Sequence, residues 1–179
     1  DYVTIATTGD ATDFGDLYVS RSGLCALASI TRGIIGGGYS TAYENTIDYI
    51  TIATAGNATD FGNLTTARGY TPAGFASPTR GIFAGGAAAS ESNVIDYITI
   101  ATTGNATDFG DLSAKRSDVA GMSSHVRGVI GGGLYDPSTS VNVIEYVTIA
   151  TTGNATDFGD LSANRFDIAG LSDVHGGLT

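Results

Sequence analysis

Apolar residues in this chain come in short bursts closed by glycine or by a polar cluster, and no segment sustains a helical period. The run Ile47-Asp48-Tyr49-Ile50-Thr51-Ile52-Ala53 is rich in β-branched and aromatic residues and predicts a strand. Alternation puts Ile47, Tyr49 and Thr51 on one face and Asp48, Ile50 and Ile52 on the other, so both faces are expected to be covered. Gly81-Ile82-Phe83-Ala84, with its counterparts Gly33-Ile34-Ile35 and Gly128-Val129-Ile130, is too short for a helix and predicts a buried strand. The Phe-Gly-Asp/Asn-Leu pieces at Phe14, Phe61, Phe109 and Phe158 predict a third, shorter strand. The stretches after Arg21, Arg68, Arg116 and Arg165 predict a fourth. Glycine punctuation interrupts every helical candidate.

These elements recur in order. The phrase Asp-Tyr-(Val/Ile)-Thr-Ile-Ala-Thr opens at Asp1, Asp48 and Asp96 and returns with Glu at Glu145, in steps of 47, 48 and 49 residues. A fixed period of this size marks a repeat architecture in which each unit buries its apolar surface against its neighbours. The chain therefore reads as one all-β repeat domain over residues 1–179, with units starting near residues 1, 48, 96 and 145. Four short strands per unit is the count of a β-propeller blade. The chain opens on the last two strands of one blade and closes on a first strand at Phe166–Leu171 and a stunted second strand around Gly176 and Gly177. The expected architecture is a ring of about four blades, the N- and C-terminal strands pairing to complete the last. A β-solenoid is the alternative, although it suits a shorter period. Because it starts inside a repeat without Met, the chain is expected to be a processed product or a fragment of a longer array.

The order of apolar strand, glycine cluster (Gly36-Gly37-Gly38, Gly85-Gly86, Gly131-Gly132-Gly133), variable loop, Tyr (Tyr49, Tyr97, Tyr146), second aromatic and Arg resembles the kelch motif. In kelch propellers paired glycines end the second strand, and the two aromatics pack between blades; here Phe stands where that motif has Trp. The phrase Thr-Gly-Asn-Ala-Thr-Asp-Phe-Gly-Asp-Leu, followed by Arg and then Arg-Gly-Val-x-Gly-Gly-Gly, is similar to repeat arrays in virion proteins of marine tailed phages. That resemblance implies a virion or extracellular location and a tail-fibre or decoration role. Its implied partners are other virion proteins, copies of itself, or host surface glycans.

Composition narrows the chemistry. A net charge of −10, from 18 acidic and 8 basic residues, argues against nucleic acid and anionic membranes as partners. No apolar stretch is long enough for a membrane-spanning helix. The single cysteine, Cys25, lies among Leu24, Ala26 and Leu27 and reads as a buried small hydrophobe. With one Cys and two histidines at unmatched positions, His125 and His175, neither a metal centre nor a Cys–His nucleophile takes shape. The Gly36-Gly37-Gly38 cluster lacks the Lys and helix of a phosphate loop. The reading is non-enzymatic.

Three groups of residues remain as candidates. Asp10, Asp13 and Asp16 space carboxylates along an oxygen-rich turn that suits calcium, although Asp and Asn are also ordinary turn residues. Asn57, Asn63, Asn105 and Asn154 sit in N-glycosylation triplets, three of which the repeat alone accounts for. The loops between the glycines and the next Asp-Tyr strand differ from unit to unit, and variable loops on a repeated scaffold are where binding is placed. They supply Tyr39, Tyr43, Glu44, Asn45, Glu91, Tyr135 and Asp136 as candidate ligand contacts, the tyrosines suiting protein or carbohydrate. A carbohydrate-binding lectin with one pocket per blade is the alternative function. The recurring Arg21, Arg68, Arg116 and Arg165 are expected to pair with the acids of Asp-Phe-Gly-Asp.

Overall fold

The computed structural model describes residues 1–70 and 72–172. Every regular element among them is a strand, and every strand pairing is antiparallel. Three sheets follow one another along the chain. The first is a meander of β1 (Cys25–Ala28), β2 (Arg32–Gly36), β3 (Thr46–Thr51) and β4 (Thr59–Asn63). The second repeats it with β5 (Ala73–Ala76), β6 (Arg80–Ala84), β7 (Val94–Thr99) and β8 (Thr107–Asp111). The third contains β9 (Ala120–Ser123), β10 (Arg127–Gly131), β12 (Thr139–Thr148) and β13 (Thr156–Arg165), with β11 (Leu134–Asp136) added to the start of β12. The register is reproduced from unit to unit: Tyr49 faces Thr59, Tyr97 faces Thr107 and Tyr146 faces Thr156. A single bridge, Tyr2 to Thr12, gives the N-terminal residues the same hairpin in miniature.

Sheets stack through their first strands, β1 against β5 and β5 against β9. Each gap is filled by its own core. Leu27, Ile34, Ile47, Phe61, Leu64, Phe83, Ile98 and Ile100 fill the first, and Phe75, Ile82, Ile95, Phe109, Leu112, Ile130, Val147 and Ile149 fill the second. The Asp-Tyr strand is covered on both faces over its first half: Ile47 and Asp48 of β3, like Ile95 and Asp96 of β7, are fully buried, whereas Ile52, expected on a covered face, is 44% exposed. Each buried aliphatic or aromatic side chain of the two cores contributes about 1.5–3 kcal/mol through burial, so the fold draws on interfaces between units as well as on pairing within them.

Among the described residues no strand pairing closes the sheets into a ring. No pairing joins the Tyr2–Thr12 hairpin to the C-terminal residues among those described. Phe166–Leu171, expected as a strand, carries no strand pairing, and the second strand expected around Gly176 and Gly177 lies outside the described residues, as does His175. The third variable loop also differs from expectation. Leu134–Asp136 is a short strand folded back on Thr139–Ser140, its turn held by Asp136, which accepts from Ser138 N and Oγ and from Thr139 Oγ1, each at 2.9 Å.

Candidate functional site

The repeated residues are consumed by three recurring structural contacts. The first is a buried ion pair. Arg21 meets Asp48 at 2.8 Å, Arg68 meets Asp96 at 2.9 Å, and Arg116 meets Glu145, with all six side chains essentially inaccessible. The partner is the acid of the Asp-Tyr strand, not the acids of Asp-Phe-Gly-Asp that the sequence suggested. The reason is register: each Arg precedes the first strand of a sheet and reaches across to the third, where the acid points inward. Burial pulls the Arg116 guanidinium below its ordinary value, and the Glu145 carboxylate opposes that pull.

The second contact is an aromatic stack. Arg32, Arg80 and Arg127 each lie 4.5 Å over the ring of Tyr49, Tyr97 or Tyr146. Each Tyr in turn meets Phe61, Phe109 or Phe158 edge-on at about 6 Å.

The third joins one unit to the next. The turn after each Asp-Tyr strand lies along the fourth strand of the preceding unit. Gly56 N donates to Phe14 O, Gly104 N to Phe61 O and Gly153 N to Phe109 O, at 2.6, 2.7 and 2.8 Å. Ala58, Ala106 and Ala155 N donate to Asp16, Asn63 and Asp111 O, each at 2.8 Å. The same three residues Asp16, Asn63 and Asp111 return a bond from their own N–H to Oδ1 of Asn57, Asn105 and Asn154, each at 3.0 Å. The glycine of each Phe-Gly pair makes this possible: a Cβ on Gly15, Gly62 or Gly110 would fall within 2.4–2.6 Å of the neighbouring turn's backbone. The asparagines of the glycosylation triplets are therefore inter-unit staples. The second and third of these turns also cover the edges of β4 and β8, which would otherwise be open to association.

The acids at the first turn have a similar local use. Asp13 Oδ1 accepts from Gly15 N, as Asp60 does from Gly62 and Asp157 from Gly159, the side-chain-to-backbone bond of a turn. Asp10 and Asp13 are exposed, and Asp10, Asp13 and Asp16 do not gather: no three acidic, His or Cys side chains form a metal-binding group among the described residues. Cys25 is buried, and burial pushes its thiol up to about 12.

Residues that differ between units meet elsewhere. A cleft of about 420 Å³ is lined by Tyr43, Tyr70, Ala87–Glu91, Ser117, Asp118, Leu134 and Pro137, from the loops of all three sheets. Tyr39, Tyr43 and Tyr70 form a continuous aromatic cluster, with ring centroids 5.2 Å and 5.9 Å apart. Hydrogen bonding with Tyr70, followed by burial, raises the Tyr43 hydroxyl above its ordinary value. Asp118 carries the cleft's acid beside Glu91. Burial raises its carboxyl above the usual range, against the opposing hydrogen bond from Ser117 Oγ at 3.2 Å.

Of the residues the sequence nominated, Tyr43 and Glu91 line this cleft and Tyr39 stacks behind it. Glu44 accepts from Ser40 Oγ at 2.5 Å, Asn45 gives its carbonyl to Leu64 N, and Asp136 holds its own turn, with hydrogen bonds from Ser138 and Thr139 keeping its carboxyl below the usual range. Tyr135 is half exposed on β11, outside the lining. Sequence reasoning missed Tyr70 and Asp118. Both hold positive φ, 52° and 51°, at the position where the first unit has Gly23, with φ of 60°. A glycine in one copy facing Tyr, Asp and Asp (Asp167) in the others is the signal that a left-handed backbone is held there.

The chain matches no protein-family model and no curated protein.

Proposed function

We propose that this chain is a non-enzymatic binding and building module, a run of kelch-like propeller blades from a phage virion fibre or decoration protein, that meets its partner through the unrepeated loops. One observation carries this reading. The residues that recur are spent on ion pairs, aromatic stacks and inter-unit staples, whereas loop residues that differ between units, Tyr43 and Glu91 among them, line one cleft. The cleft's chemistry suits a neutral or cationic surface group: Tyr43 and Tyr70, with Tyr39 edge-on behind Tyr43, give a stiff apolar wall with hydroxyl rims, and Glu91 and Asp118 supply acceptors. The virion setting draws on the phage-like phrasing of the repeats.

The test is binding of the labelled protein to the surface of candidate host cells, compared with a Tyr43→Ala/Tyr70→Ala variant. Loss of binding with an unchanged melting temperature supports the reading; undiminished binding by the variant contradicts it. A second reading, the lectin, draws on shallow cups of about 150, 300 and 350 Å³ at matched positions beneath Tyr2, Tyr49 and Tyr146, lined by threonines and backbone. A glycan array on which the protein is silent removes it and leaves the scaffold-and-loop reading in place.

A further inference from the structure

The geometry points to an organic cation as the guest of the loop cleft: a primary alkylammonium group, the chemistry of a partner protein's lysine side chain. Its alkyl stem would lie on Tyr43 and Tyr70 and its ammonium on Glu91 and Asp118, an assignment that rests on the cleft as the binding surface and fixes the charge of what enters it.

The cleft is built from the same two backbone positions, taken at two successive junctions between sheets. One position lies in the loop after a sheet's second strand. A bridge from Tyr39 to Tyr43 closes that loop in the first sheet, and a bridge from Ala87 to Glu91 closes it in the second, so Tyr43 and Glu91 correspond. The other position lies just before the first strand of the following sheet. Gly69 bridges to Ala87 as Ser117 bridges to Leu134, so the next residues, Tyr70 and Asp118, correspond, with φ of 52° and 51°. At the first junction both positions are aromatic, and the rings of Tyr43 and Tyr70 lie 5.9 Å apart. At the second junction both are acidic, Glu91 and Asp118. Asp118 N donates to Tyr70 O at 3.0 Å, which places the acid pair beside the aromatic pair. Between the pairs, Ala87, Ala88 and Ala89 stand where the first loop has Tyr39, Ser40 and Thr41. Their small side chains leave the cleft its volume of about 420 Å³.

Charge decides the guest. No Lys, Arg or His lines the cleft among the described residues. The acids inside the sheets, Asp48, Asp96 and Glu145, each have their own arginine, whereas Glu91 and Asp118 enter no ion pair among the described residues. Asp118 is half-buried, and burial raises its carboxyl; the hydrogen bond from Ser117 opposes that rise, and the charges of Asp167 and Glu91 add to it. A partly desolvated carboxylate crowded by like charges is stabilised by an arriving cation, and an anionic guest meets repulsion from the same acids. The faces of Tyr43 and Tyr70 attract positive charge as well. They also offer apolar surface along which an alkyl stem lies while its charged head stays with the acids. An ammonium N–H donates to a carboxylate in a charge-assisted hydrogen bond, and a neutral guest forgoes that attraction. Rings and acids thus favour one kind of guest.

Titration of the nitrogen-15-labelled protein with n-pentylammonium, n-pentanol and pentanoate, followed by amide chemical shifts, tests this. The ammonium is expected to shift Tyr70, Glu91 and Asp118 saturably, and the alcohol and the carboxylate to bind at least about tenfold more weakly for want of a charge-assisted bond. Glu91→Gln/Asp118→Asn keeps the shape of both side chains, and Asn tolerates the left-handed backbone at Asp118. This variant should bind the ammonium at least about tenfold more weakly at an unchanged melting temperature; if the pair of changes unfolds the chain, each single substitution should show a partial loss. Equal binding of the ammonium and the alcohol overturns the proposal. So does ammonium binding that survives the charge-removing variants, or an ammonium titration without saturable shifts. Attachment to host cells separates this proposal from the reading beneath it. Attachment lost with Tyr43→Ala/Tyr70→Ala but kept with Glu91→Gln/Asp118→Asn overturns the cationic guest and leaves the loops as the contact. Attachment kept by both variants overturns the loops' role itself.

Discussion

The buried ion pair between Arg68 and Asp96 gives the sharpest energetic prediction. Its side chains are 1% and 0% exposed at 2.9 Å. The guanidinium also donates to Phe83 O and Thr66 Oγ1, and the carboxylate accepts from Thr65 Oγ1 at 2.6 Å and Thr65 N at 3.2 Å. Arg68→Met leaves Asp96 charged and inaccessible with only Thr65 to satisfy it. Deleting one member of a buried pair costs about 3–5 kcal/mol, a large part of the roughly 5–15 kcal/mol that holds a typical domain together. Asp96→Leu strands Arg68 in the same way and is expected to cost a similar amount. The double variant removes both charges. What remains is the loss of the two Thr65 bonds and of the guanidinium's bonds to Phe83 O and Thr66 Oγ1, about 1 kcal/mol each. Urea denaturation of the four proteins closes the cycle, and the coupling is expected to be at least about 2 kcal/mol. An Arg68→Met penalty below about 1 kcal/mol, or simple additivity of the two substitutions, would refute the claim that this pair is desolvated and mutually dependent.

Three further predictions probe the junctions and the core. Gly110→Ala and Gly159→Ala meet the same backbone strain, but only at Gly110 would the new methyl strike a neighbour. Gly110→Ala should cost about 1–3 kcal/mol more than Gly159→Ala by denaturant titration; equal costs would mean the close approach carries no energy. Asn105→Ala should cost about 1 kcal/mol by removing the acceptor for Asn63 N, and Asn105→Asp should recover most of it, as read by melting temperature. Burial pushes the Cys25 thiol up to about 12 from an ordinary value near 9. Between those values the unfolded chain loses this proton and the folded chain keeps it, so this group's contribution, intact below about pH 9, is lost as pH rises toward 12. Iodoacetamide at pH 9 should modify Cys25 only as fast as the protein unfolds, and rapid native-state labelling would contradict its burial.

The strand pattern was legible because each strand is short and bounded. Glycines fence Ile82-Phe83 and β-branched residues mark Ile95–Ile98, so local composition and tertiary placement agree. The junctions were not legible, because Asn105 looks the same in a turn that serves itself as in a turn that staples Asn63. Only the register between units distinguishes them. The partner of Arg68 was misassigned for the same reason: acids recur at two places in each unit, and only the folded meander brings Asp96 inward. The loop cleft was half legible. Variation pointed to Tyr43 and Glu91, but Tyr70 and Asp118 sit outside the variable loop and are recognised by their backbone, where Gly23 in the first unit is the sole written trace. Leu134–Asp136 was hidden because Pro137 and its polar neighbours read as loop while serving as the turn of a hairpin.

The claim on which the rest stands is that neighbouring units are joined by one repeated junction. Amide hydrogen exchange measures this directly. The inter-unit donors Gly56, Gly104 and Gly153, with Asn63 and Asp111, are predicted to be protected, and Ala11 and Asp160 to exchange at the rate of open backbone. Fast exchange at Gly104 and Gly153, or protection at Asp160 equal to that at Asp111, would contradict it.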